Sequence, residues 1–224
     1  MSADARATLT KISSRFSELA LAASTDELQQ LTDYFCLLAK WNGKINLTAL
    51  PVDSASLSAI DRLLVEPMVA SRLVLRADQL LVDLGSGGGS PAFPLKVGAP
   101  QLRLVLVESK ERKCAFLRDV ARSLALKDVE VANTRFEALL SRPDLAGRAD
   151  LVSFRAVKAD ASLWGTVSGL LKHGGRAFWF GGPEMPEGEP SREVAPGLVF
   201  SSSPVLIPSG AGGASRLAIL QKTA

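Results

Sequence analysis

Apolar residues recur at three- and four-residue spacing through the first 72 positions of the chain, which is the spacing of one face of an α-helix. The pattern predicts a helix over residues 3–21, a second that begins at Ser24 or Thr25 and ends at Asn42-Gly43, and a third over residues 54–72 that Pro67 kinks or ends. These helices lie too far ahead of the strand pattern that begins at residue 80 to belong to it. We therefore expect a helical cap over residues 1–72 and a second domain over residues 73–224.

Short apolar runs alternate with helical patterns between residues 80 and 180. Strands are predicted at residues 80–84, 102–107, 129–132, 149–154 and 176–180, and helical segments at 93–97, 110–126, 136–140 and 161–171. This alternation is typical of an α/β fold with a parallel sheet covered by helices on both faces. Gly174-Gly175 is a predicted turn. The tail over residues 181–213 is rich in proline and glycine and predicts loops with one strand near 198–200, before a last strand at 216–220.

The stretch LLVDLGSGGGSP, residues 80–91, combines a predicted strand, a tight loop with glycine at four of five positions, and a helix start. Glycine permits positive φ and close approach of a ligand, and the free N–H groups attract anions. No Gly-Lys-Ser/Thr ending follows, and Ser90 occupies the sixth place of the dinucleotide fingerprint, which weakens that interpretation without excluding it. The Asp-x-Gly-x-Gly order from Asp83 resembles the first motif of S-adenosylmethionine-dependent methyltransferases. The alternative is a purely structural turn.

Polar side chains follow four predicted strands, at the carboxyl ends where ligands bind in open α/β sheets. Glu108 lies 23 residues after Gly85, where an acidic side chain accepts the hydroxyls of an adenosine ribose. Asp83 is predicted to hold the loop N–H groups or to meet a methionyl ammonium. Arg155 is either a structural ion-pair partner or a ligand for a carboxylate or an RNA phosphate. Asn133 and the segment that follows it are expected to border the adenine.

The single histidine, His173, lies in a predicted turn away from these strand ends. Hydrolysis that depends on a histidine base is therefore not expected. Methyl transfer to a nitrogen that already carries a lone pair would need no general base, so proximity and orientation could supply most of its rate.

The composition of the chain excludes few classes of function. The 224 residues carry a net charge of +3 and a pI near 9.0, which permits an RNA partner without requiring one. Two cysteines and one histidine are too few for a zinc cluster, so no metal is expected. The N-terminus lacks a signal-peptide pattern and no apolar run is long enough to span a membrane, so we expect a cytoplasmic monomer with no membrane partner.

The stretch Trp41-Asn42-Gly43-Lys44-Ile45-Asn46-Leu47-Thr48 combines an indole with amide and cationic side chains. It is either a helix end with a packed tryptophan or a surface for the cofactor cleft or an RNA backbone. It also matches a WNxxINLT signature. With VDLGSGGGSPAFPL (residues 82–95), Val107-Glu108-Ser109, Arg135-Phe136-Glu137 and Arg155-Ala156-Val157 in the same order, the chain resembles the RsmG (GidB) family of small-subunit ribosomal RNA guanine-N7 methyltransferases over roughly residues 31–180.

The resemblance implies a Rossmann-like fold with a mostly parallel seven-stranded sheet and an N-terminal helical cap. It implies S-adenosylmethionine as cofactor and 16S ribosomal RNA, or the small ribosomal subunit, as substrate. Its cofactor residues would be Asp83, Gly85, Ser86, Gly87, Glu108, Arg135, Phe136, Glu137 and Arg155. Arg155 would also be the catalytic residue beside the target base, and Lys40, Asn42, Lys44 and Asn46 would contact the substrate.

Three departures from the family pattern concern the target side. A histidine expected in the helix after the Trp-Asn motif is replaced near Asp61-Arg62, Phe-Pro-Gly has become Ser90-Pro91-Ala92, and an expected Lys-Gly has become Gly181-Gly182. The alternatives are a methyltransferase with a changed substrate, a non-catalytic RNA-binding or assembly factor, and a nicotinamide-dependent oxidoreductase.

Overall fold

The apolar runs between residues 80 and 180 form five parallel strands, as their alternation with helical patterns predicts. The computed structural model describes residues 2–75, 79–183, 192–210 and 213–223. Its helices are α1 (Ala3–Glu18), α2 (Thr25–Asn42), α3 (Leu57–Ile60), α4 (Glu66–Ser71), α5 (Ala92–Gly98), α6 (Glu111–Ser123) and α7 (Ala161–Leu170), with a π-helical turn at Asp61–Val65 and a 3₁₀ turn at Phe136–Ser141. Its strands are β1 (Leu80–Leu84), β2 (Arg103–Glu108), β3 (Val129–Asn133), β4 (Ala149–Arg155), β5 (Leu171–Phe180), β6 (Arg192–Ala195), β7 (Leu198–Ser202), β8 (Val205–Gly210) and β9 (Gly213–Lys222).

The strands lie in the order β3-β2-β1-β4-β5-β9-β7-β6, and β8 pairs with β9 off this path. Strands β1 to β5 are parallel to their neighbours, whereas β9 runs antiparallel to β5. The chain winds outward from β1 to β3 on one side and from β4 to β5 on the other. The order therefore reverses between β1 and β4, which opens a crevice at their carboxyl ends.

Two hydrophobic cores cover the two faces of the sheet. Along β1, Leu80, Val82 and Leu84 belong to the core under α7 and the 3₁₀ turn, while Leu81 belongs to the core under α5, α6 and the N-terminal helices. Successive side chains of a strand point to opposite faces. The prediction of a mostly parallel sheet with helices on both faces is confirmed.

The first two helices begin where the sequence predicts, whereas the third begins at Leu57, three residues after its predicted start. Ser24 accepts a hydrogen bond from the Glu27 N–H, and the Glu27 carboxylate accepts one from the Ser24 N–H, which closes a capping box at the start of α2. The Arg15 guanidinium on α1 pairs with the buried carboxylate of Asp61 at 2.7 Å. Helices α1 to α4 share one core with α5 and α6. The boundary at residue 72 between a cap and a second domain stays a prediction.

The predicted third helix is interrupted at Pro67 in a specific way. Proline has no N–H to donate, so it breaks the helical hydrogen-bond ladder. The turn before it is a π-helix in which the Glu66 N–H donates to the carbonyl of Asp61. The carbonyls of Arg62 and Leu63 instead accept from the Arg155 guanidinium and from Ser90 Oγ. The helix therefore continues past Pro67 as α4, with two carbonyls turned toward other elements.

The tail corrects the prediction of loops with one strand. Among its described residues β6, β7 and β8 are all strands, which is why the described residues form nine strands rather than the expected seven. Pro196 and Gly197, with φ of +71° at Gly197, make the two-residue turn between β6 and β7. Pro208 is tolerated because β8 pairs along one side only. Residues 184–191 and 211–212 of the tail lie outside the described residues.

A second correction concerns the glycine pair at the start of β5. The strand runs from Leu171 to Phe180, so Gly174-Gly175 is not the turn that was predicted before it. The pairing with β4 shifts register there, from Ala149 against Leu171 to Leu151 against Arg176. Gly174 has φ of +74°. Glycine adopts positive φ more readily than other residues, so it suits such an irregularity in a strand.

None of the helices in the described residues is both long enough and apolar enough to cross a membrane.

Candidate functional site

The glycine loop after β1 is held by its one serine. Ser86 Oγ donates to the carbonyl of Asp83 at 3.0 Å and accepts from the Val107 N–H of β2 at 3.0 Å. Gly85 has φ of +69°, and a Cβ there would lie 3.0 Å from Val157 Cγ2. Glycine is therefore needed at this position for both its backbone conformation and its lack of a side chain. The loop brings bare backbone to the crevice at the end of β1.

Asp83 carries the deeply buried carboxylate of the site. It is 1% exposed, and its Oδ1 accepts a hydrogen bond of 2.5 Å from Ser153 Oγ on β4. Its other oxygen, Oδ2, is buried with no hydrogen-bond partner among the described residues. Burial raises the pKa of Asp83 to about 6, an effect that the hydrogen bond from Ser153 partly offsets. The carboxylate is therefore poised to gain a positively charged or donating partner.

Glu108 ends β2 and fixes the glycine loop from the other side. Its Oε2 accepts from the Gly87 N–H at 3.1 Å, and its Oε1 accepts from the Lys110 N–H at 2.8 Å. The Asn133 side-chain amide donates to the Glu108 carbonyl at 3.1 Å. The carboxylate is thus oriented by backbone on two sides. Each carboxylate oxygen can accept more than one hydrogen bond, so it keeps acceptor capacity for a ligand.

Arg155 ends β4 and lies across the crevice from the loop. Its Nη2 pairs with Glu66 Oε2 of α4 at 2.9 Å, and its Nη1 donates to the carbonyl of Arg62. The guanidinium also lies 4.8 Å from the centre of the Phe180 ring. Burial lowers the pKa of Arg155 to about 10, so the group is still a cation at neutral pH. The Nε of Arg155 is buried and has no partner within the described part of the chain.

Helix α2 reaches the glycine loop through Tyr34. The buried Tyr34 hydroxyl donates to the carbonyl of Gly88 at 2.6 Å. Further along the same helix, Trp41 Nε1 donates to Asp119 Oδ2 of α6 at 3.0 Å. The two contacts fix α2 against the glycine loop and against α6.

The four residues predicted to contact the substrate have different surroundings. Asn42 Oδ1 accepts from the N–H groups of Leu47 and Thr48 at 2.9 and 3.0 Å, so it shapes the loop after α2. Lys40, Lys44 and Asn46 are exposed. Asn46 is the one of the four that lines the crevice.

The segment after β3 lies at the side of the site. Arg135 is exposed at the start of the 3₁₀ turn, and Phe136 packs against the core under α7. The Glu137 carboxylate accepts from Ser162 Oγ of α7 at 2.9 Å. None of these three residues is among those that line the crevice.

The crevice between the glycine loop and the N-terminal helices encloses about 540 Å³. It brings together five of the predicted site residues, namely Gly85, Ser86, Gly87, Arg155 and Asn46. Its wall also includes Arg62, Leu63 and Lys113, and the loop of residues 46–50 faces the glycine loop across it. The volume is in the range of pockets that bind cofactor-sized molecules.

Sequence reasoning missed Tyr34, Glu66 and Ser153 as parts of the site. A tyrosine on an otherwise apolar helix face is a signal, because its buried hydroxyl requires a partner. Glu66 carried a comparable signal, since a carboxylate in an apolar helix pattern is rarely buried unless it is paired. Nothing in the sequence singled out Ser153.

A mostly parallel sheet whose order reverses at a glycine loop, with an acidic residue near the end of each of the first two strands, is a Rossmann-like α/β fold with a candidate cofactor site. The model of the GidB family, rRNA small subunit methyltransferase G, matches residues 27–190. The chain belongs to this family.

The relatives agree with the family match. Ribosomal RNA small subunit methyltransferase G of Stenotrophomonas maltophilia (strain K279a) is 37% identical over 175 residues, which cover 74% of this chain and 77% of the relative. The protein of the same name from Carboxydothermus hydrogenoformans is 33% identical over 181 residues, which cover 79% of this chain and 74% of the relative.

Solved structures support the fold. The yhhF protein of Escherichia coli matches with a TM-score of 0.53 at 15% identity, covering 71% of this chain and 86% of that one. A predicted O-methyltransferase, Atu636 of Agrobacterium tumefaciens, matches with a TM-score of 0.51 at 16% identity. The match covers 70% of this chain and 79% of that one. Family and fold together imply a methyl donor of the S-adenosylmethionine type.

Proposed function

We propose that this protein transfers a methyl group from S-adenosylmethionine to N7 of a guanine in 16S ribosomal RNA. The observation that carries the proposal is the buried Asp83 oxygen without a partner beside the glycine loop, in a chain of the GidB family. The substrate is the 16S RNA, either alone or within the small subunit, and the proposed reaction takes place in the cytoplasm with the protein as a monomer.

The residues that line the crevice and the buried carboxylates at the ends of β1 and β2 fit the cofactor. An ammonium group would satisfy Asp83 Oδ2, which otherwise stays buried and unpaired within the described chain. Gly85, Ser86 and Gly87 leave bare backbone for the amino-acid part, and Glu108 is held in place to accept the ribose hydroxyls. When bound, S-adenosylmethionine supplies an electrophilic methyl group. We further propose that Arg135, Phe136 and Glu137 border the adenine.

Arg155 is proposed to orient the target base beside the cofactor. Its guanidinium is fixed by Glu66, the Arg62 carbonyl and the Phe180 ring, so it loses little freedom when it donates to a ligand. Because N7 of guanine already carries a lone pair, the chain has to orient this atom and exclude water, and no base is required.

The segment after α2 is the proposed contact for the RNA backbone. Lys40, Lys44 and Asn46 are exposed and available to phosphate or sugar. Asn42 serves this surface by holding the loop of Leu47 and Thr48.

The test is methyl transfer from labelled S-adenosylmethionine to undermethylated small subunits and to their extracted 16S RNA. The parent protein is expected to produce 7-methylguanosine, and Glu108→Gln and Arg155→Lys to reduce its yield at least tenfold. Arg148→Gln, which removes an exposed cation at the opposite edge of the sheet, is the matched control and is expected to keep parental activity. Cofactor binding by the parent without any label in RNA would refute the proposed substrate and favour an RNA-binding or assembly factor.

A further inference from the structure

The wall of the crevice includes a second guanidinium, that of Arg62, besides that of Arg155. Three cationic side chains, Arg62, Lys113 and Arg155, line its wall within the described residues. Arg155 is 11% exposed and committed to Glu66, whereas the Arg62 side chain is 46% exposed. Arg62 is therefore the guanidinium at the open side of the crevice.

The side chain of Arg62 extends over the end of β5. Gly181 follows this strand with φ of +77°, and a Cβ built on it would lie 3.6 Å from Arg62 Nη2. The Arg62 guanidinium is therefore within van der Waals range of the residue that follows β5. The Arg62 guanidinium thus lies on the side of the crevice that faces away from the β1 to β2 edge, where Glu108 is.

The ion pair that Arg62 makes is a long one. Its recorded ion pair among the described residues is with Glu66 of the same helical segment, at 3.7 Å, which is longer than a hydrogen bond. The other oxygen of Glu66 is held by Arg155 at 2.9 Å. Two guanidinium groups therefore share the Glu66 carboxylate, and the more exposed of them, that of Arg62, lines the crevice, where it can attract an anion.

We propose that the Arg62 side chain binds a phosphate of the target nucleotide, so that this cation together with Arg155 sets where the guanine enters. The inference rests on the proposed function. A guanidinium offers parallel N–H donors that match two phosphate oxygens. The same chemistry would suit the carboxylate of the cofactor, so the experiment measures the two ligands separately.

The test compares Arg62→Gln, Arg62→Lys and the control Arg148→Gln with the parent. Both glutamine variants lose one positive charge, but only Arg62 lines the crevice. The backbone carbonyl that accepts from Arg155 is unchanged in all of them. Fluorescence anisotropy with extracted 16S RNA over a range of salt concentrations gives the RNA affinity, and calorimetry with S-adenosylmethionine gives the cofactor affinity.

Arg62→Gln is expected to bind 16S RNA about tenfold more weakly than the parent. The slope of log affinity against log salt is expected to fall by roughly 0.7, which is the value for one phosphate contact on a single strand. Arg62→Lys is expected to keep the slope, since it keeps the charge, and to recover part of the affinity. Cofactor affinity is expected to stay within twofold of the parent.

Equal RNA affinity for Arg62→Gln and Arg148→Gln would overturn the proposal. So would a loss of cofactor affinity with RNA binding intact, because the guanidinium would then serve the cofactor carboxylate. If the parent methylates 16S RNA and Arg62→Gln binds that RNA with parental affinity, this inference is refuted and the proposed function is not. A parent that neither binds nor methylates the RNA would refute the proposed function as well.

Discussion

Replacing Asp83 with asparagine removes a buried negative charge while it keeps the size of the side chain and an oxygen that accepts from Ser153. The ligand-free parent must hold the Asp83 carboxylate in the interior at neutral pH with one oxygen unpaired among the described residues. The substitution therefore relieves an electrostatic cost and removes the proposed partner of the cofactor ammonium. Stability and cofactor affinity of the parent are expected to change in opposite directions as the pH rises.

The magnitude follows from the pKa of Asp83, which burial raises from 3.8 to about 6. At ~1.4 kcal/mol per pKa unit, ionising this carboxyl in the folded state costs about 3 kcal/mol more than in the unfolded state. Because the folded pKa is raised, the folded state keeps its proton longer, and its stability falls as pH rises from about 4 to about 6. The Asp83→Asn variant has no such dependence at this position. The free energy of unfolding of the variant minus that of the parent should therefore rise by about 2 kcal/mol between about pH 4.5 and pH 7 and then level off.

The assay is urea denaturation of both proteins followed by tryptophan fluorescence at several pH values across that interval. Subtracting the parent curve cancels the carboxylates that both proteins share. Asp53→Asn, which removes an exposed carboxylate, is the matched control and gives the baseline difference. A difference for Asp83→Asn that does not vary with pH would refute the reasoning, since folding would then not raise the pKa of this carboxyl.

Cofactor binding supplies the complementary measurement. If the ionised Asp83 holds the ammonium, the parent should bind S-adenosylmethionine about tenfold more weakly near pH 5 than near pH 8, because most of the carboxyl is protonated below its pKa. Calorimetry should show weak binding by Asp83→Asn across the whole range. A parent affinity that does not change with pH would contradict this role.

Three further predictions concern contacts across the crevice. Tyr34→Phe loses the hydrogen bond to Gly88 and should destabilise the protein by about 0.5–1.5 kcal/mol and weaken cofactor binding, both measurable by thermal melts with and without S-adenosylmethionine. Trp41→Phe keeps an aromatic ring but loses the hydrogen bond to α6, so urea denaturation should show a loss of about 1 kcal/mol with cofactor affinity unchanged. Arg155→Ala removes the nearer of the two guanidinium partners of buried Glu66 and should cost about 3–5 kcal/mol, and adding Glu66→Gln should recover most of it; no recovery in this double-mutant cycle would contradict the buried pair.

The pattern of apolar residues was sufficient for the elements that depend on local sequence. Leu80–Leu84 is a strand as predicted, because its apolar residues precede a glycine loop that no helix can cross. Ser24 caps α2 because Glu27 stands three residues later. Topology then places Asp83, Glu108 and Arg155 at one edge of the sheet, since parallel strands share their carboxyl ends.

The remainder depends on contacts that local sequence does not encode. The tail contains strands despite its prolines because β7 and β8 pair with β9, and β6 pairs with β7. Asp83 and Ser153 are 70 residues apart and meet through the pairing of β1 with β4. Pro67 has no N–H for the Leu63 carbonyl, so that carbonyl could be predicted to need another donor. The π-helical shift that frees the Arg62 carbonyl, and the two donors, Ser90 and Arg155, could not be predicted.

The contacts that join the N-terminal helices to the crevice also constrain the order in which the site can form during synthesis. Tyr34, Trp41 and Glu66 precede β1, yet their partners follow them by 54, 78 and 89 residues. These helices leave the ribosome well before any of those partners exists. A nascent chain that has not yet extended past Arg155 lacks one wall of the crevice. The ability to capture the methyl donor would therefore mark a chain whose synthesis has passed β4, and it would arise late and abruptly rather than grow with chain length.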